Sequence, residues 1–138
     1  MIMAHVFNKP RTILCIDDDA DDLQLLSEAV QRIDPQCQII KAFNGLHGIA
    51  LLQEMQRQQQ LPSLIVMDIN MPKLDGKQTF VRLQADAVLS TIPVVVFSTS
   101  SSPMDKMFFQ NKGAAFITKP IRFEQLLEVA SELLSYCP

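Results

Sequence analysis

The sequence is poor in the residues that build metal, nucleotide and disulfide frameworks, and each shortage removes a class of function. Its three cysteines, Cys15, Cys37 and Cys137, are odd in number and widely spaced, with no C-x-x-C pair. Neither a disulfide scaffold nor a zinc site is indicated, and Cys15, inside an apolar run, reads as core. The four glycines, Gly45, Gly48, Gly76 and Gly113, form no phosphate-cradling loop. His5 and His47 are isolated surface residues and offer no metal or general-base constellation. Cationic residues are also few: 12 Lys and Arg stand against 15 Asp and Glu, a formal charge of -3. Nucleic-acid binding relies on clustered positive charge, so that partner class is not expected. No apolar run approaches the ~18 to 20 residues that span a bilayer, and Met1 to Arg11 lacks a secretory signal pattern. A soluble, cytoplasmic protein is the expectation.

What the chain has is a core and a concentration of acid. At 138 residues and 48% apolar composition it has the size of one ordinary domain. Ten of its fifteen acidic residues are Asp, and five of these, Asp17, Asp18, Asp19, Asp21 and Asp22, fall in one six-residue window after an apolar run. A helix start favours carboxylates, which accounts for Asp19, Asp21 and Asp22. It accounts less well for Asp17, which ends a strand-like segment.

Hydrophobic periodicity divides the chain into alternating short runs and amphipathic stretches. Strands are predicted at Thr12–Ile16, Gln38–Phe43, Leu64–Met67, Ile92–Phe97 and Ala115–Thr118. Helices are predicted over Asp21–Ile33, from Gly45 to about Gln58, and near Lys77–Ala87, Met104–Asn111 and Phe123–Tyr136. Several strands are apolar without alternation, as strands covered on both faces should be. The pattern is βαβαβαβαβα, an α/β fold with a doubly wound parallel sheet.

Ligands of such a sheet bind beyond the carboxyl ends of its strands. The residues there are Asp17 and Asp18 after the first strand, Asp68 after the third, Ser98 and Thr99 after the fourth, and Lys119 after the fifth. Three carboxylates against one ammonium leave about -2, which a divalent cation would offset, and oxygen-only donors suit Mg²⁺.

These segments, Ile13-Leu14-Cys15-Ile16-Asp17-Asp18-Asp19, Leu64 to Gly76, Pro93 to Thr99 and Lys119-Pro120, together resemble the receiver domains of bacterial two-component response regulators. The resemblance spans residues 11 to 137. It implies a flavodoxin-like fold of five strands in order 2-1-3-4-5 with five helices. It also implies a domain at residues 11–138, preceded by a short extension at residues 1–10 and followed by no output domain. The family likeness makes Asp68 the phospho-acceptor, served by a sensor or hybrid histidine kinase or a histidine phosphotransfer protein. It makes Asp17, Asp18, Asp68 and the backbone carbonyl of Asn70 the Mg²⁺ ligands. Lys119, Ser98 and Thr99 become the groups that hold phosphoryl oxygens, and Ser98 with Phe116 the switch pair. The resemblance further implies a cis Lys119–Pro120 bond, a signalling output on the face of the fourth helix, fifth strand and fifth helix, and a homodimer through that face. On this reading the chain is a switch that catalyses only its own phosphotransfer and slow dephosphorylation.

Two other patterns compete for the same acids. Asp17, Asp19, Asp21 and Glu28 match EF-hand calcium positions, but Asp22 stands where glycine is required and a strand precedes the loop. A haloacid-dehalogenase type phosphatase would make Asp17 the nucleophile. Against it, no acidic pair follows Lys119, and the length leaves little room for a cap.

Overall fold

Five parallel strands carry the molecule. The computed structural model describes residues 9–138, so most of the expected extension at residues 1–10 lies outside the described residues. In chain order the elements are β1 (Thr12–Ile16), α1 (Ala20–Ile33), β2 (Gln38–Ala42), α2 (Gly45–Arg57) and β3 (Leu64–Met67), then α3 (Gly76–Gln84), β4 (Val94–Ser98), α4 (Pro103–Gln110), β5 (Ala115–Thr118) and α5 (Phe123–Ser135). The strand order is β2-β1-β3-β4-β5, and every pairing is parallel. The expected five-strand, five-helix architecture is therefore the one observed.

Strand alternation splits the core into two layers. Leu14, Ile16, Ile65, Met67, Val94 and Val96 face Leu52 of α2, Phe80 and Leu83 of α3 and Phe109 of α4. Ile13, Cys15, Leu64, Val66, Val95 and Phe97 face Leu23, Leu26 and Val30 of α1 and Leu126, Ala130 and Leu133 of α5. A residue's parity along its strand thus decides whether it meets α2, α3 and α4 or α1 and α5. Asp17, Asp68 and Lys119 inherit the α1/α5 side, whereas Ser98 and Phe116 inherit the α3/α4 side.

The boundaries differ from expectation where local hydrogen bonding decides them. Asp19 caps α1 by accepting the amides of Asp21 and Asp22, so the helix starts at Ala20. Helix α3 stops at Gln84 rather than Ala87, because the Asp86 carboxylate captures the amides of Val88 and Leu89 and opens a 3₁₀ turn at Leu89–Thr91. Strand β4 begins at Val94, after Pro93, which has no N–H for the ladder. Helix α4 follows the serine tract, with Ser102 as its cap and Pro103 in its first turn.

Candidate functional site

Backbone hydrogen bonds just beyond the strands gather the candidate residues on one edge. The Asp17 amide donates to the Ala42 carbonyl at 3.0 Å, and the Asp68 amide to that of Ile16 at 3.0 Å. The Lys119 amide donates to the Ser98 carbonyl at 2.9 Å. The ladder therefore extends past β1, β3 and β5 and fixes where these three side chains start.

They converge on a single ammonium. Lys119 Nζ lies 2.7 Å from Asp17 Oδ2, 2.8 Å from Asp22 Oδ2 and 3.1 Å from Asp68 Oδ2. Its three donors thus meet three carboxylates, with its side chain only 9% exposed. The Phe97 ring lies 5.9 Å from the same nitrogen. Two of the other carboxylate oxygens are also held: Asp17 Oδ1 accepts the Asp19 amide at 2.9 Å, and Asp68 Oδ1 the Ile69 amide at 2.7 Å.

Burial pushes the Asp17 carboxyl above its ordinary range, opposed by hydrogen bonds from Lys119 and the Asp19 amide. For Lys119 burial favours the neutral amine. The hydrogen bonds to Asp17 and Asp22 and the charge of Asp68 outweigh it, and the lysine is held above its ordinary range. The site keeps its cation.

Asp17, Asp18 and Asp68 each present a carboxylate oxygen, all within 4.8 Å of one another. Asp17 and Asp68 are buried and Asp18 is exposed, so this is a hard-oxygen cluster open on one side. With Asp22 there are four carboxylates against one ammonium, a surplus of about -3 rather than the -2 expected, and a divalent cation suits that donor set.

The remaining candidates make no side-chain hydrogen bond to this cluster among the described residues. Ser98 is fully buried at the end of β4, where its Oγ accepts the Ser100 amide at 3.2 Å. Thr99 and Asn70 are exposed on the loops after β4 and β3. Phe116 is half-buried on β5, 6.4 Å from the Phe109 ring, with Lys106 Nζ 5.7 Å from its centroid. The buried Cys15 matches expectation, and His47 serves its own helix start by accepting the Phe43 amide.

One expectation is corrected and one residue is added. The Lys119–Pro120 bond is not cis, since no cis peptide occurs among the described residues. A trans bond is the lower-energy state by about 0.5–1 kcal/mol, and the Ser98–Lys119 hydrogen bond already aims the lysine at the acids. The added residue is Asp22, read from sequence as a helix-start acid. Asp19 supplies the cap, which leaves the Asp22 carboxylate free to reach Lys119.

Beside Lys119 a cleft of about 190 Å³ opens between α1 and the β5–α5 loop, lined by Asp22, Leu25, Phe97, Ile121 and Phe123. No helix among the described residues is long and apolar enough to cross a membrane.

Known proteins share both the sequence pattern and the fold. The chain is 34% identical to protein PilH of Pseudomonas aeruginosa over 89% of its length and 97% of that protein's. It is 27% identical to response regulator Rcp1 of Synechocystis, covering 97% of this chain and 93% of Rcp1. Among solved structures, the phosphorylated cyanobacterial phytochrome response regulator RcpA superposes with a TM-score of 0.83 at 26% identity, over 94% of this chain and 97% of RcpA. The Mn²⁺-bound form of Rcp1 gives 0.79 at 27% identity, over 91% and 93%. The family model described as the response regulator receiver domain matches residues 13–131. Four strand-end motifs, the 2-1-3-4-5 sheet and this match agree, and the chain belongs to the response regulator receiver domain family, the phosphorylation-dependent switches of two-component signalling.

Proposed function

We propose that Asp68 accepts a phosphoryl group from the phosphohistidine of a sensor or hybrid histidine kinase, or of a histidine phosphotransfer protein. The observation that carries this reading is the 3.1 Å approach of Lys119 Nζ to Asp68 Oδ2, beside two further acids on the same strand edge. An Asp68 oxygen attacks phosphorus while the P–N bond of the ring-protonated phosphohistidine breaks; the bond's electron pair stays on that ring nitrogen, and the imidazole departs neutral because its other nitrogen carries the proton. Such a transfer needs in-line positioning and charge stabilisation more than covalent machinery.

Asp17, Asp18, Asp68 and the Asn70 carbonyl would hold Mg²⁺, which when bound neutralises charge on the transferring oxygens. The Mn²⁺-bound Rcp1 and phosphorylated RcpA among the similar structures support a divalent ion and phosphorylation in this family. Lys119 holds one phosphoryl oxygen, and Ser98, with Thr99 beside it, donates to another. The altered β4–α4 region and Phe116 then present a changed α4–β5–α5 face to another chain or a second copy. On this reading the protein works in the cytoplasm as a switch and turns over no other substrate.

Incubation with a small phosphodonor and Mg²⁺, followed by intact mass and peptide mapping, tests the assignment. One added phosphoryl group, lost in Asp68→Asn, is expected. Retention in Asp68→Asn with loss in Asp17→Asn overturns it in favour of the phosphatase reading.

A further inference from the structure

The third partner of Lys119 is outside the metal-type cluster. Asp17 and Asp68 share their oxygens with Asp18 within 4.8 Å, whereas Asp22 contacts only the ammonium, at 2.8 Å from the first turn of α1. Neither helix capping nor helix-dipole stabilisation requires this contact. Asp19 already binds the amides of Asp21 and Asp22, and Asp21, the neighbouring first-turn acid, is exposed and carries no ion pair among the described residues.

We propose that Asp22 is the positioning residue that keeps Lys119 in the site when Asp17 and Asp68 engage a divalent cation. This rests on the reading that Asp17, Asp18 and Asp68 hold that cation. An ion bound there takes lone pairs from two of the three carboxylates that now hold Lys119, and like charges repel at this range. The ammonium's hold on Asp17 and Asp68 is then weakened, and Asp22 is the partner that the ion does not share. Asp22 lies to the side of the cluster, toward the cleft, and is 38% exposed. It lets the two cations share one acidic pocket. Without it Lys119 has two courses: competing with the metal for Asp17 and Asp68, or swinging into the cleft, away from the phosphoryl group it has to bind. Asp22 therefore acts through Lys119 and not on the reacting atoms.

A double-mutant cycle on the full chain separates this role from a simple charge effect. Mg²⁺ affinity is measured by calorimetry for the parent, Asp22→Asn, Lys119→Met and the double variant. Asp18→Ala serves as a control for the site, and circular dichroism verifies the fold of each variant. The expected result is an affinity about tenfold weaker in Asp22→Asn, comparable to the loss of a residue that orients metal ligands, with most of that loss absent once Lys119 is Met. Asp22→Glu, which keeps a carboxylate on a longer arm, is expected to recover part of it. The Lys119 ammonium resonance in ¹⁵N-lysine spectra at saturating Mg²⁺ should persist in the parent and vanish in Asp22→Asn. Equal losses in both lysine backgrounds, or an unchanged ammonium resonance in Asp22→Asn, overturn the proposal while leaving the metal reading intact. A parent protein that binds no Mg²⁺, or whose binding survives Asp18→Ala, overturns the metal reading itself and the proposal with it.

Discussion

Lys77 of α3 and Asp105 of α4 form an ion pair with Nζ 2.7 Å from Oδ1, and the second Asp105 oxygen accepts the Ser100 hydroxyl at 2.6 Å. The Ser100 amide in turn donates to Ser98 Oγ at 3.2 Å, and Ser100 Oγ accepts the Ser102 amide at 3.3 Å. The loop carrying the proposed switch hydroxyl is therefore tied, through one carboxylate, to two helices.

Asp105→Ala should loosen this loop more than it destabilises the protein. The pair is partly exposed, so solvent screening holds its contribution to under about 1 kcal/mol. Hydrogen exchange of the amides of Ser100 and Ser102 should nonetheless accelerate clearly. Unchanged exchange there would show that the serine tract holds its shape without α4.

The same carboxylate sets a pH dependence. The hydrogen bond from Lys77, followed by that from Ser100, holds Asp105 below the ordinary aspartate value of 3.8. A depressed folded-state value means that the pair's contribution is fully present above the unfolded value and disappears as pH falls through the lower folded one. Carboxyl ¹³C titration should give an Asp105 midpoint below 3.8, moving up toward it in Lys77→Met.

Gly76 predicts a coupling between fold and site. It opens α3, and a Cβ there would collide with the Asp68 carbonyl oxygen and the Ile69 Cα. The Gly76 amide also donates to the Ile69 carbonyl at 2.7 Å, which clamps the helix onto the residues just after β3. Gly76→Ala should cost about 1–3 kcal/mol, the range for overpacking a rigid contact. It should also lower the rate of phosphoryl uptake, because the displaced backbone is that of Asp68. A variant as stable as the parent in denaturant titration contradicts this.

The reach of the sequence ends where contact between distant segments begins. Asp17, Asp68, Ser98 and Lys119 were legible because each ends an apolar run, and in a parallel sheet all strand ends of one sense lie on one edge. The two-sided core was legible for the same reason, in β3 and β4, which are buried at every position. Asp22 was not. It sits 97 residues from Lys119, and its first-turn position looks the same whether its carboxylate faces solvent or another chain segment. The Asp19 side chain, by claiming the cap, freed it, and two adjacent helix-start acids after a strand-end Asp were the only sequence trace of that division. The end of α3 was missed because a single side chain, Asp86, outcompetes the helix for the Val88 and Leu89 amides, while Val88 and Leu89 extend the apolar pattern.

Thiol reactivity should follow burial. Desolvation pushes Cys15 up to about 12 and Cys37 up to about 11, and Cys137, half-buried near Arg11 and Asp34, is raised as well. Thiolates are the reactive form, so at pH 8 iodoacetamide should label native Cys137 first and Cys15 last. Mass mapping of partially alkylated protein gives the order directly. Early labelling at Cys15 would mean that β1 opens locally.

The signalling output can be tested through Phe116. Ser98 and Phe116 share the α3/α4 side of the sheet, since β4 and β5 pair with Ser98 opposite Thr118 and Val96 opposite Phe116. The Phe116 ring touches the same aromatic group that holds α4, with Phe109 fully buried against Phe80 at 5.5 Å and Phe108 at 5.0 Å. A pull on Ser98 toward a phosphoryl group strains its bond to the Ser100 amide, and that bond leads through Asp105 into α4. Only a few kcal/mol separate such alternatives, about the strength of one or two charge-assisted hydrogen bonds. Amide spectra with Mg²⁺ and a beryllofluoride phosphoryl mimic should therefore shift at residues 98–102 and onward into residues 104–130. Phe116→Ala should leave phosphoryl uptake at Asp68 intact while shrinking the shifts in α4, because the ring that relays the loop's movement is gone. Shifts confined to the acid cluster in the parent protein would rule out this face as the output.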